Sequence, residues 1–175
     1  MEKNQYFDQI HGNFGFGCMR LPLKDGAVDH ELMNQIVDYY LDQGFNYFDI
    51  AHGYVSGKSE TALKDSLTSR SPRDCCILTD KLSTHFFNRE EEIRPLFESQ
   101  LEAAGVDYFD FYLMHAQSKE IYEKFERCHA YEIAGQLKEE GKIRHLGISF
   151  HDTADVLEKI LKEHPEIEVV QIQFN

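Results

Sequence analysis

Residues 107–115 read DYFDFYLMH, a run of aromatic and aliphatic side chains that stops on a histidine. Its centre, FYLM, has the continuous apolar character of a strand covered on both faces, which is the signature of a parallel sheet. Working outward, the arrangement recurs on either side. Residues 75–81, CCILTDK, stop on Lys81; residues 45–50, FNYFDI, carry Asp49; residues 143–150, IRHLGISF, carry Ser149. Asp49, Lys81, His115 and Ser149 follow one another at intervals of 32, 34 and 34 residues. One strand, one helix and their connections take about 30 or more residues. The spacing therefore predicts parallel β/α units with a polar residue at each strand's C-terminal end, where barrels of this class build their active sites.

The segments between these runs read as helices. Asp29 is an N-cap for a helix with Leu32, Met33, Ile36, Val37, Tyr40 and Leu41 on one face, and Gly44 follows it as a stop. Further helical patterns cover residues 57–69, 89–104 and 119–140, the last as one interrupted helix or two short ones. Gly105 and Gly141 close two of them. A last helix starts at Asp152 or Thr153 and ends at Pro165, before a sixth strand, IEVVQIQFN. At the N-terminal end, the two short runs around His11-Gly12-Asn13 predict a hairpin within residues 5–23, leading into a first strand GFGCMRL; Pro22 and Asp25-Gly26 mark a loop.

An open doubly wound sheet and a barrel both satisfy this alternation. A dinucleotide-binding doubly wound domain calls for G-x-G-x-x-G after its first strand. Gly15-Phe16-Gly17 supplies only G-x-G, with Arg20 at the third position. The expectation is an α/β fold: an incomplete (β/α)8 TIM barrel, with an N-terminal hairpin plus about six βα units, as one partial domain over residues 1–175. A barrel takes about 250 residues. Six strands leave two sheet edges open, so the rest is expected to be lost, to lie on another chain, or to be replaced by self-association.

Thirty-one acidic against eighteen basic residues give a formal charge of −13. That argues against a nucleic-acid backbone or an anionic membrane surface as partner. The start, MEKNQYFDQI, lacks an apolar signal region, and no apolar run reaches the roughly 18 residues of a membrane span. Cys18, Cys75, Cys76 and Cys128 form no C-x-x-C pair; Cys75 and Cys76, within CCILTDK, read as small buried hydrophobes, and a reducing cytoplasm is expected.

Asp49, Tyr54, Lys81 and His115 are the candidate catalytic group. A lysine in a barrel mouth needs a partner, and Asp49 supplies the charge. A tyrosine beside that ammonium can protonate a carbonyl oxygen, because the cation stabilises the phenolate left behind. His115 can donate a hydrogen bond to the same oxygen. No metal is called for. The four residues hold no electron pair to give, so a hydride has to come from a cofactor.

The segment FDIAHGYVSGKSE, Phe48 to Glu60, resembles the signature of the aldo-keto reductase family: an aspartate, a tyrosine five residues on, then G-x-S-E opening a helix. Lys81 after its apolar strand, His115 in FYLMH, the run Gly141 to Ser149, and VVQIQFN resemble further family motifs, and the likeness covers nearly the whole chain. GFGCMRLP and GISFH are similar to a bacterial subgroup, some of whose members carry a C-terminal iron–sulfur extension. The resemblance implies an oxidoreductase that reduces aldehydes or ketones with NADPH. It implies Tyr54 as general acid, Lys81 as the cation beside it, Asp49 as the partner of Lys81 and His115 as the group orienting the carbonyl. It implies Ser149 and Gln171 on the nicotinamide carboxamide and Asp49 near the nicotinamide ribose. The family grips the adenosine end with segments after its seventh and eighth strands. Phe150 and Ile50 stand where many members have Asn and Thr. Two other readings stay open: a non-catalytic or partner-dependent barrel fragment, and a lyase using Lys81 as a Schiff-base amine.

Overall fold

The computed structural model describes residues 7–174. Six strands form one parallel sheet: β1 (Phe16–Gly17), β4 (Tyr47–Asp49), β5 (Ile77–Leu82), β6 (Phe109–Gln117), β7 (Ile143–Phe150) and β8 (Val169–Ile172), in that spatial order. Strands β2 (Leu23–Lys24) and β3 (Ala27–Val28) form a separate antiparallel pair. The helices that cover the sheet are α1 (His30–Asp42), α2 (Ser59–Leu63), α3 (Ile93–Ala104), α4 (Lys119–Arg127), α5 (Ala130–Glu139) and α6 (Ala154–Glu163).

Local chemistry sets the element ends. Asp29 caps α1, its Oδ1 accepting the Leu32 N–H at 3.1 Å. Helix α3 stops where Gly105 turns left-handed at φ +66°. The expected helix over 57–69 is a short α-helical stretch, α2, that widens into a π-turn at Lys64–Thr68. The segment 119–140 divides into α4 and α5 because His129 adopts a left-handed conformation, φ +50°.

The expected hairpin within residues 5–23 does not form among its described residues. Residues 7–13 are turn and coil, tied down through Asn46, whose Oδ1 accepts the His11 N–H and whose Nδ2 donates to the Gln9 carbonyl. Phe7 and Ile10 instead pack on Ile77, Phe111 and Leu113. Their apolar surface is used against the sheet, which leaves no two-sided ladder to build. The hairpin lies at β2–β3, around Asp25 (φ +52°) and Gly26 (φ +80°), the Asp-Gly pair suited to two left-handed turn positions. The first strand is shorter than GFGCMRL, two residues paired to β4 alone.

The sheet is curled. β4 and β8 are four strand spacings apart, about 19 Å in a flat sheet, yet Gln171 Nε2 on the β8 side donates to Asp49 Oδ2 on β4 at 3.0 Å. Alternation along the strands sorts the enclosed face into layers. Tyr47, Ile77, Phe111 and His145 lie lowest, with Phe7 edge-on to Phe111 and His145. Leu113, Gly147 and Val169, opposite one another along β6, β7 and β8, come next. A Cβ on Gly147 would lie 2.3 Å from Val169 Cγ1 and 2.7 Å from Leu113 Cδ2, so only glycine fits there. Asp49, Lys81, His115, Ser149 and Gln171 form the top layer, at the C-terminal ends of the strands.

Candidate active site

The curl, rather than any one loop, assembles the site. Lys81 is almost fully buried, at 1% exposure. Its Nζ donates to Asp49 Oδ1 at 2.6 Å and to the Ile50 carbonyl at 2.8 Å. A buried ammonium is tolerable only with such partners. The second carboxylate oxygen of Asp49 receives Gln171, so one aspartate joins β5 to β8 across the enclosed face.

Tyr54 lies on a 3-10 turn, Tyr54–Ser56, that follows β4. Val55, Ser56 and Gly57 all have positive φ, at +51°, +54° and +80°. A β-branched residue there is strained, and such strain gathers at functional loops. The turn holds the Tyr54 ring over Lys81, with Nζ 4.8 Å from the ring centroid, and edge-on to the His115 ring, 5.8 Å between centroids. The expected quartet of Asp49, Tyr54, Lys81 and His115 is thus brought together.

Burial, followed by the Lys81 charge and by His151 and His85, pulls His115 down from 6.5 to about 4. The imidazole is neutral near pH 7. Its Nδ1 lies 2.6 Å from Ser83 Oγ. With that hydroxyl as donor, Nε2 carries the proton and is free to donate. Ser83 was not singled out in the sequence, though it stands two residues after Lys81 and alternation places it on the same face. Ser149 Oγ accepts the Ala116 N–H at 2.7 Å, where β6 has a bulge and Ala116 turns left-handed, φ +55°. Ser149 and Gln171 are opposite one another in the β7–β8 ladder.

A pocket of about 340 Å³ opens beside this layer, walled by Tyr54, Ser83, His85, Phe86, His115 and Ile121. His85 lines it as well. His52 turns to Glu60, with Nδ1 3.0 Å from Oε2. Cys76 is buried as expected, whereas Cys75, just ahead of β5, is only partly so; Cys18 and Cys128 are buried thiols too. Among the described residues, no helix is long and apolar enough to cross a membrane.

A sequence model of the Aldo/keto reductase family matches residues 13–175. The chain is 26% identical to an Escherichia coli NADH-specific methylglyoxal reductase, over 88% of this chain and 51% of that protein. It is 29% identical to an uncharacterized oxidoreductase of Bacillus subtilis, over 92% of this chain and 51% of that protein. Its fold is similar to the holo form of an aldo-keto reductase from Bacillus halodurans: TM-score 0.74, 27% identity, 92% of this chain and 53% of that one. The chain spans about half the length of these relatives.

Proposed function

The chain belongs to the Aldo/keto reductase family, and from that premise we propose that it carries the catalytic face of a carbonyl reductase using NADPH. The observation that supports this reading is that Tyr54 and His115 share the wall of one pocket, with the Lys81 ammonium against the Tyr54 ring and Asp49 behind Lys81.

In this proposal an aldehyde or ketone enters the pocket with its oxygen towards Tyr54 and His115. Neutral His115 donates from Nε2 and orients the carbonyl. Tyr54 gives its hydroxyl proton to that oxygen as the alcohol forms, and the Lys81 ammonium stabilises the phenolate that remains. Asp49 keeps Lys81 charged and in place. The nicotinamide cofactor, when bound, supplies the hydride. Ser149 and Gln171 fit its carboxamide: Ser149 keeps a hydroxyl proton after accepting the Ala116 N–H, and Gln171 adds an amide beside it. Asp49 would lie near the ribose. NADPH is taken over NADH on family precedent, whereas the Escherichia coli relative is NADH-specific, so both are to be titrated.

Lys81 acting as a Schiff-base nucleophile is disfavoured, because both hydrogen bonds on Nζ hold it as a donor. Dependence on further strands is favoured by the exposed apolar groups at the sheet edges, Phe14 on one side and Ile172 on the other.

The test is calorimetric titration of the 175-residue chain with NADPH and NADH, alongside aldehyde-dependent oxidation of the cofactor. In a chain carrying a complete barrel, Tyr54→Phe lowers turnover on the order of 10²-fold or more and leaves nicotinamide affinity unchanged. Near-normal turnover in that variant removes Tyr54 as the acid.

A further inference from the structure

Behind the catalytic layer, on the opposite face of β5, lies a second set of titratable groups that carbonyl reduction does not use. Asp80 precedes Lys81, so alternation sends Lys81 inward and Asp80 outward beneath α2, whose first turn carries Glu60. Both acids are buried: Asp80 at 0% and Glu60 at 1% exposure. Asp80 Oδ1 accepts the Lys81 N–H at 2.7 Å. Oδ2, equally buried, meets no hydrogen-bond partner, and the Glu60 carboxyl lies close enough to act on Asp80 by charge and hydrogen bonding.

Two ionised carboxylates in that position would repel one another, and each would be stripped of water. One proton placed between them removes the repulsion and the desolvation of one carboxylate, turning the orphaned Oδ2 into a donor and Glu60 into its acceptor. Burial first, and the Glu60 charge second, push the Asp80 carboxyl well above the usual carboxylate range. Glu60 has a reason to be the charged member, since His52 Nδ1 lies 3.1 and 3.0 Å from its two oxygens. That contact raises His52 above 6.5 in turn. The remaining groups facing the pair are accounted for. Tyr112, opposite Asp80 in the β5–β6 ladder, donates to Gln100 Oε1 at 2.6 Å, and the Lys81 ammonium points the other way, to Asp49.

We propose that Asp80 is the protonated member of a hydrogen-bonded acid pair with Glu60, and that this pair, latched by His52, ties the loop bearing Tyr54 to the strand bearing Lys81. His52 precedes Tyr54 by two residues, and its ring packs edge-on to Phe86 of the pocket wall, 4.6 Å between centroids. Asp80, Glu60 and His52 are positioning residues. Their catalytic meaning rests on the reading of Tyr54 and Lys81 given above; the shared proton does not.

Carbon-13 carboxyl NMR of the 175-residue chain reads the proton directly. Asp80 is expected at the chemical shift of a neutral acid at pH 7, and an ionised shift overturns the proposal. His52 titration gives a second, independent reading. Glu60→Gln lowers its midpoint, because the carboxylate that raises it is gone. Asp80→Asn, which keeps the acceptor for the Lys81 N–H and offers an amide donor to Glu60, leaves the midpoint unmoved; a fall as large as that in Glu60→Gln means Asp80 was charged. The positioning claim is read from cross-peaks between the Lys81 side chain and the Tyr54 ring. They are lost in Asp80→Leu and kept in Asp80→Asn, and their survival in Asp80→Leu refutes it. If the leucine variant does not fold, the wild-type and asparagine measurements still decide the proton. None of these readings needs turnover, so failure of the reductase assay is distinguishable from failure of the pair.

Discussion

The middle of the sheet and its two edges are built to different standards. Strands β5, β6 and β7 each pair on both sides, and their side chains are nearly all buried. β1 contributes two residues to one ladder, and β8 ends in exposed residues; Phe14 beside the first edge is 61% exposed and Ile172 on the second 53%. The charged chemistry sits with the well-ordered middle. A lysine inside a sheet needs partners held to within tenths of an ångström, and only strands fixed on both flanks hold them so. The edges can be incomplete without disturbing Lys81, provided Gln171 still reaches across to Asp49.

That contrast can be broken first by deleting core volume. Phe48→Ala removes a fully buried ring from β4, and about 4 kcal/mol of stability is expected to go with it. Chemical denaturation measures this, and a loss below about 1 kcal/mol would mean the middle is no firmer than the edges. Asp49→Ala comes next. It leaves the buried Lys81 ammonium with the Ile50 carbonyl as its remaining acceptor, at a cost of about 3 kcal/mol. Lys81→Met should cost less, because Asp49 is partly exposed and keeps Gln171. The reverse ranking would contradict the burial asymmetry.

The third effect depends on pH. His115 titrates at about 4 in the folded chain against 6.5 ordinarily. Between those values the unfolded chain binds a proton that the folded one refuses. Stability therefore falls as pH drops from 6.5 towards 4. His52 has the opposite sign: its raised affinity stabilises the fold at low pH and is lost as pH rises through its folded midpoint. His115→Gln is expected to flatten the acid limb of a stability–pH curve, and an unchanged limb would show that His115 is not excluded from protonation. The smallest effect belongs to the edge. Ile172→Ser should shift stability by about 0.5 kcal/mol or less, and a loss of several times that would assign β8 to the firm core.

The parallel alternation was legible because strands covered on both faces read as apolar runs and because the polar residue ending each run recurs at the period of one β/α unit. Asp49, Lys81 and His115 could be named for that reason. Ser83 was passed over although its spacing from Lys81 places it on the same face. The hairpin was placed around His11-Gly12-Asn13 on turn chemistry alone, whereas Phe7 and Ile10 were committed to the interior beneath the catalytic layer. Asp25-Gly26, the stronger hairpin signal, closes the β2–β3 pair.

The alternation of strands and helices, the inward and outward faces of each strand, and the strand ends at which the polar residues fall can be read from the residues alone. Those properties are local, set by period and by capping chemistry. Tertiary structure alone decided which polar groups meet. Gln171 reaches Asp49 because the sheet curls through four strand spacings, and the buried Asp80 of β5 feels the charge of Glu60 on α2. Such pairings depend on curvature and on which helix lies over which strand, and neither is written in the residues of a single element.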